Sequence, residues 1–174
     1  MPIERAGLIK LGTQDATILG DDVLAGMDAP EFTVQDNRWK SVNGLESTAG
    51  KVRIIAAVPS LSTAVCDRET RAFNQHAAAL GGDVAILVIS TDLPPTQKNW
   101  CGAAGVDRVQ TLSDATFADF GVKYGALMKE RRWLRRAVWV IDRAGKVVYA
   151  DYMQVLSEEP KYDEVLAAAQ AALA

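Results

Sequence analysis

Cys66 is the residue with the most chemistry to offer. It closes the segment Pro59-Ser60-Leu61-Ser62-Thr63-Ala64-Val65-Cys66, a P-x-x-x-T-x-x-C spacing. The segment joins an apolar run ending at Val58 to a stretch with helical spacing that starts near position 66. A cysteine at the start of a helix meets backbone N–H groups with no intrahelical partner and the positive end of the helix dipole. Both favour the thiolate, which is the nucleophilic form. The carboxyl ends of strands in α/β sheets also face the crevices where ligands bind. The sequence holds one other cysteine, Cys101, and no Cys-x-x-Cys pair. The plainer alternatives are two cysteines serving as small buried hydrophobes and Thr63 as an ordinary helix cap or turn residue.

The elements that must position these residues follow from the pattern. Leu8–Leu11 and Ala16–Leu19, separated by Gly12-Thr13-Gln14-Asp15, predict an N-terminal hairpin. Phe32–Val34 and Trp39–Val42 predict a second one around Asp36-Asn37. Val52–Val58 and Val84–Ser90 are near-continuous apolar runs, as in strands covered on both faces. Between them, Cys66 to Leu80 predicts a helix with Phe73, Ala77 and Leu80 on one face, stopped by Gly81-Gly82. Pro94 to Cys101 predicts a short helix with proline in its first turn. A strand is expected at Val109–Leu112 and a further short helix at Asp114–Phe120. Ala137–Ile141 and Lys146–Tyr152 predict antiparallel strands across an Asp142–Gly145 turn, and Tyr162–Leu173 an amphipathic helix. This order predicts an α/β, thioredoxin-like fold in one domain spanning residues 1–174. It has a mixed central sheet, helices on both faces and an N-terminal β-hairpin extension.

The active-site spacing, extended to Val58-Pro59 through Cys66-Asp67 with Thr70-Arg71, resembles the peroxiredoxins. Within them it is most similar to the bacterial thiol peroxidase family, an atypical two-cysteine type. The resemblance continues through Ser90-Thr91-Asp92-Leu93-Pro94, Cys101-Gly102, Thr111-Leu112-Ser113-Asp114, Tyr124-Gly125 and Arg136-Ala137-Val138. It implies a peroxidase for hydrogen peroxide and organic hydroperoxides that needs no cofactor. Cys66 matches the peroxidatic cysteine and Cys101 the resolving cysteine that closes an intramolecular disulfide. Thr63 matches the threonine that hydrogen-bonds the sulfur and the peroxide, and Pro59 the proline that shields the pocket. Arg136 matches the arginine beside the thiolate. The segment Met128–Arg136 is more basic than the family pattern, which leaves Arg135 as an alternative. The resemblance also implies thioredoxin as reductant and a homodimer. A disulfide requires Cα atoms within about 7 Å, so local unfolding around both cysteines is expected during turnover.

Bulk properties narrow the remaining classes. The net charge of −3 gives no broad attraction to nucleic acid or anionic membranes. No apolar stretch reaches the length of a membrane span. Met1–Arg5 begins no signal-peptide pattern, so a cytoplasmic location is expected. One histidine, His76, and two separate cysteines make no metal site, and His76 reads as a packing or surface residue. Two other functions share the same cysteines. A protein thiol–disulfide oxidoreductase is disfavoured by the missing Cys-x-x-Cys. A redox sensor would differ in slow turnover and a lasting partner complex.

Overall fold

A computed structural model describes residues 1–174. The chain begins with β1 (Glu4–Leu11) and β2 (Gln14–Leu19), an antiparallel hairpin that turns at Gly12-Thr13. β3 (Thr33–Gln35) and β4 (Ser41–Asn43) form the second hairpin. Next come β5 (Val52–Ala57), α1 (Ala64–Leu80), β6 (Val84–Ser90), α2 (Pro94–Ala104) and β7 (Gln110–Ser113). The chain ends with α3 (Asp119–Lys123), β8 (Leu127–Met128), β9 (Ala137–Ile141), β10 (Val147–Tyr152) and α4 (Tyr162–Leu173).

Seven strands make the central sheet, in the order β10-β9-β5-β6-β7-β3-β4. β5, β6 and β7 are parallel, and β9, β10, β3 and β4 add antiparallel edges. The fold is the mixed, thioredoxin-like α/β arrangement that the element order implies. The second hairpin is part of that sheet, since β3 pairs with β7. The first hairpin instead builds a separate three-stranded sheet with β8.

β5 lies in the middle of the sheet, and its alternation divides the core. Ile55 and Ala57 face one apolar cluster with Phe32, Phe120, Tyr124 and Trp139. Ile54 and Ala56 face the other, with Cys66 and Phe73 of α1 and Val165 and Ala169 of α4. Arg53 is the polar exception in β5 and is buried. Its guanidinium donates to Thr48 Oγ1, Asp142 O and Leu45 O at 2.8–3.0 Å, which replaces its lost water.

Three helix boundaries differ from the sequence expectation. α1 starts at Ala64 with Thr63 as its N-cap, so Cys66 lies within the first turn. α2 runs on to Ala104, because the chain turns left-handed at Gly105 (φ +65°) and not at Gly102. The short helix expected at Asp114–Phe120 is α3, five residues later at Asp119–Lys123. Residues 114–118 make one helical turn, with Ala118 N–H on Asp114 O, but Ala118 then takes φ +52° and breaks it. The Asp114 carboxylate reaches past the break and accepts the Phe120 and Gly121 N–H groups, which restarts the helix.

The first hairpin sits against the C-terminal end of α3. Gly20 is at φ +88°, and a Cβ there would lie 1.8 Å from the Val122 carbonyl oxygen. Gly20→Ala is therefore expected to destabilise the fold by about 2–4 kcal/mol, from backbone strain plus forced separation of the two segments. Urea unfolding checks this, and an unchanged midpoint would contradict the close seat of the hairpin.

Candidate active site

The site forms where β5 ends and α1 begins. β5 runs directly into Val58 and Pro59, and the loop from Ser60 to Thr63 turns the chain into the helix. The Asp92 carboxylate, at the matching end of β6, fixes that loop. It accepts the Leu61 N–H at 2.8 Å and the Ser60 and Ser90 hydroxyls at 2.7 Å each. Gln97 of α2 donates to Ser90 Oγ and to Leu112 O, so the same polar network reaches the helix that carries Cys101. Asp92 falls within the Ser90–Pro94 resemblance and Gln97 three residues beyond it, but only the fold gives either a role.

Cys66 is completely buried in the first turn of α1. Thr63 Oγ1 lies 2.9 Å from Cys66 Sγ and also 2.9 Å from Ser60 O. One hydroxyl proton serves one acceptor at a time. With a thiol at Cys66, the S–H donates to Thr63 Oγ1 while that hydroxyl donates to Ser60 O. With a thiolate, the hydroxyl turns to the sulfur. Thr63 is thus the N-cap residue by position, but its side chain makes no capping bond and attends to the sulfur.

The adjacent arginines separate cleanly. Arg136 is buried, and its Nη2 donates to Cys66 Sγ at 3.3 Å and to Leu156 O at 3.1 Å. Arg135 points into the opposite half of the core. It pairs with Asp22, donates to Gly125 O at 2.9 Å and covers the Tyr152 ring at 4.1 Å. Arg136 is therefore the arginine that faces the sulfur. Arg131 and Arg132 are exposed.

Glu69 is the group that the sequence reading missed. It is fully buried one helical turn after Cys66, and Oε2 accepts from Arg136 Nη1. The signal was present in the i, i+3 spacing from Cys66, which puts both on one face of α1, but nothing marked the glutamate as buried. Burial pushes the Glu69 carboxyl up from 4.5 to about 7, against the pull of the Arg136 charge. Burial alone would lower the Arg136 guanidinium, but the Glu69 and Cys66 anions outweigh it and hold the arginine protonated.

A pocket of about 210 Å³ lies over the first turn of α1, lined by Pro59, Thr63, Ala64, Val65, Trp133, Leu156 and Ser157. Its lining is mostly apolar, so a peroxide entering it leaves bulk water. Cys101 is a free, half-buried thiol on α2, and Cys66 is free as well. The Cys101 sulfur lies 3.2 Å from Thr111 Oγ1. It opens on a different cleft, of about 320 Å³, lined by Asp36, Asn37, Arg38, Val106, Asp107, Val109, Gln110 and Thr111. The structure brings Pro59, Thr63, Cys66 and Arg136 together and leaves Cys101 apart. His76 is half-buried with its ring centroid 6.0 Å from that of Tyr162.

Known proteins resemble this chain over most of its length. The family model described as Redoxin matches residues 24–166. A thiol peroxidase of Bacillus subtilis is 46% identical over 155 residues, covering 89% of this chain and 92% of the relative. A thiol peroxidase of Oceanobacillus iheyensis is 49% identical over 150 residues, covering 86% and 90%. Among solved structures, a peroxiredoxin-like protein from Aquifex aeolicus superposes with a TM-score of 0.86 at 33% identity. That match covers 97% of this chain and 99% of the other.

The raised Glu69 carboxyl gives a signed pH effect. Its folded value of about 7 lies above its ordinary 4.5. The folded state therefore binds the proton more tightly, and the resulting stability is full below about pH 4.5 and fades as pH rises through 7. Glu69→Gln cannot titrate. The stability advantage of wild type over Glu69→Gln, measured by urea unfolding, is expected to be largest at pH 5 and to shrink by pH 8. A gap that widens with pH would reverse the assignment.

Proposed function

The chain belongs to the peroxiredoxin superfamily, in its thiol peroxidase family, and from that premise we propose that Cys66 is its peroxidatic cysteine and Cys101 its resolving cysteine. The peroxidase activity is that of the family. The assignment of residues rests above all on one observation, the buried Cys66 sulfur within hydrogen-bonding reach of both Thr63 and Arg136.

The Cys66 thiolate attacks one oxygen of the hydroperoxide. An S–O bond forms and the O–O bond breaks, and the leaving oxygen takes up a proton to depart as water or an alcohol. Negative charge develops on that oxygen, and preorganised donors aimed at it lower the barrier. Arg136 stays protonated throughout and offers a planar fork of donors. Thr63 supplies the second donor. Pro59 closes the pocket wall against water, and the apolar lining supports organic hydroperoxides as substrates besides hydrogen peroxide.

Cys66 is left as a sulfenic acid. The Cys101 thiol condenses with it, forming the S–S bond and releasing water, before a second peroxide can carry the sulfur to the sulfinic state. A dithiol reductant then opens the disulfide by exchange and leaves as a disulfide itself. Thioredoxin is the reductant that the family resemblance supports. The same resemblance supports a homodimer, and the reducing chemistry fits a cytoplasmic setting, where lasting disulfides are rare. Sedimentation velocity tests the dimer directly.

One equivalent of hydrogen peroxide is expected to convert two free thiols into one intramolecular disulfide, read by alkylation and peptide mass. Cys66→Ser is expected to lower turnover at least about a thousandfold, as loss of a nucleophile does. Cys101→Ser should consume a single equivalent and stall at an oxidised Cys66. Turnover by Cys66→Ser at the wild-type rate would overturn the mechanism. Arg136→Lys tests the electrostatic role separately. A loss of about 10²-fold in the rate of sulfenic acid formation is expected, and an unchanged rate would remove Arg136 from the chemistry.

A further inference from the structure

One face of α1 is tied to α2 and to the segment that follows it through three consecutive contacts. Asp67, Arg71 and Asn74 fall at i, i+4 and i+7, a single stripe on the helix. Asp67 Oδ1 accepts the Trp100 indole N–H at 3.0 Å. Arg71 Nε donates to the other Asp67 oxygen at 2.9 Å, and its Nη1 donates to Ala104 O at 2.9 Å. The same guanidinium lies 5.7 Å from the centre of the Trp100 ring. Further along, Asn74 Oδ1 accepts the Asp107 and Arg108 N–H groups at 3.2 and 2.7 Å.

The first of these ties stands between the cysteines. Asp67 follows Cys66 and Trp100 precedes Cys101. Adjacent helical residues lie about 100° apart around the axis, so when Asp67 and Trp100 face each other the two thiols face elsewhere. Cys101 accordingly lines the cleft beside Asn37 and Thr111, whereas Cys66 is fully buried. Turning them together to disulfide distance must take Trp100 off Asp67. The tie at Asn74 lies beyond the end of α2 and need not open, so it is placed to act as the pivot.

We infer that Asp67, Arg71 and Trp100 form a catch between the two cysteine helices that sets how long the Cys66 sulfenic acid waits for Cys101. Latched, the catch holds Trp100 on Asp67 and keeps the two thiols from meeting. Released, it allows α2 to bring Cys101 across. These are positioning residues, acting on the second chemical step and not the first. The inference rests on Cys66 and Cys101 being the reacting pair.

Rapid-quench alkylation with intact-mass detection resolves the two steps. Sulfenic acid formation scales with peroxide concentration, whereas disulfide closure does not depend on it. Trp100→Phe keeps an aromatic ring but removes the indole N–H. It is expected to speed closure about threefold to tenfold, the range for loss of one typical, partly exposed hydrogen bond, and to leave sulfenic acid formation unchanged. The peroxide concentration that half-converts Cys66 to sulfinic acid should rise by the same factor. Asp67→Ala should also speed closure, whatever it does to the first step. The double variant should close no faster than the faster single one, because the two residues act through each other. Wild-type closure rates in both single variants, or additive gains in the double variant, would overturn the catch. If the wild type forms no Cys66–Cys101 disulfide at all, the reading beneath it fails as well. If the disulfide forms but its rate ignores these residues, only the catch fails.

Discussion

A guanidinium taken out of water must be surrounded by acceptors, and Arg136 is almost wholly buried. Its partners are Glu69, the Leu156 carbonyl and the Cys66 sulfur. The desolvation of such a charge is large, and removing one partner of a buried pair typically costs about 3–5 kcal/mol. Glu69 therefore does more than neutralise a charge. It occupies one side of the fork, which leaves Nη2 to face the sulfur and the Leu156 carbonyl. An arginine held this way is always protonated and already oriented when a peroxide arrives. The contacts that hold this fork in place are the ones on which the proposed chemistry depends.

Much of the surrounding architecture serves that placement. Arg136 immediately precedes β9, and β9 is hydrogen-bonded along its length to β5, the strand that leads to Cys66. Register between these two strands thus sets how far apart the arginine and the sulfur lie. The preceding segment is pinned from the other side. β2 pairs with β8, Lys129 N–H bonds Thr17 O, and Glu130 accepts the Thr17 N–H. Arg135 is anchored to Asp22 and Gly125 on the far face. Because successive residues of an extended chain point to opposite faces, anchoring Arg135 on one side aims Arg136 at the other. The N-terminal hairpin is therefore part of the machinery that orients the site, although none of its residues touches the sulfur.

What was legible in the sequence had a local cause. Val84–Ser90, Ala137–Ile141 and Tyr162–Leu173 fall where periodicity and length place them, since their neighbours in sequence decide their structure. Cys66 stands out by its place at a strand-to-helix junction, whereas the roles expected of Thr63 and Pro59 come from the family resemblance of the loop. The misses come from contacts made across the fold. The Asp114 carboxylate restarts α3 beyond a left-handed Ala118, and no propensity carries that information. The choice between Arg135 and Arg136 depends on which side of β9 each one leaves, a question of sheet register. Glu69 on α1 carries no local mark of burial, because its partner lies 67 positions away in sequence.

The site must satisfy two demands that conflict. Peroxide attack needs a dry, fixed pocket, which the structure obtains by burying Cys66 among Thr63, Glu69 and Arg136. Resolution as proposed needs that same sulfur to meet a thiol on another helix. A covalent route between α1 and α2 is therefore incompatible with the arrangement that makes Cys66 reactive, and one state must yield to the other. Where it yields is constrained by what each segment would lose. Cys66 is bound into the deeply buried Arg136–Glu69 pair and the apolar core. Cys101 is half-buried, with a single polar neighbour in an open cleft. Opening free energies within a protein follow buried contacts and exposed hydrogen bonds. The α2 side therefore costs less to move, and in the proposed mechanism Cys101 is the partner that travels.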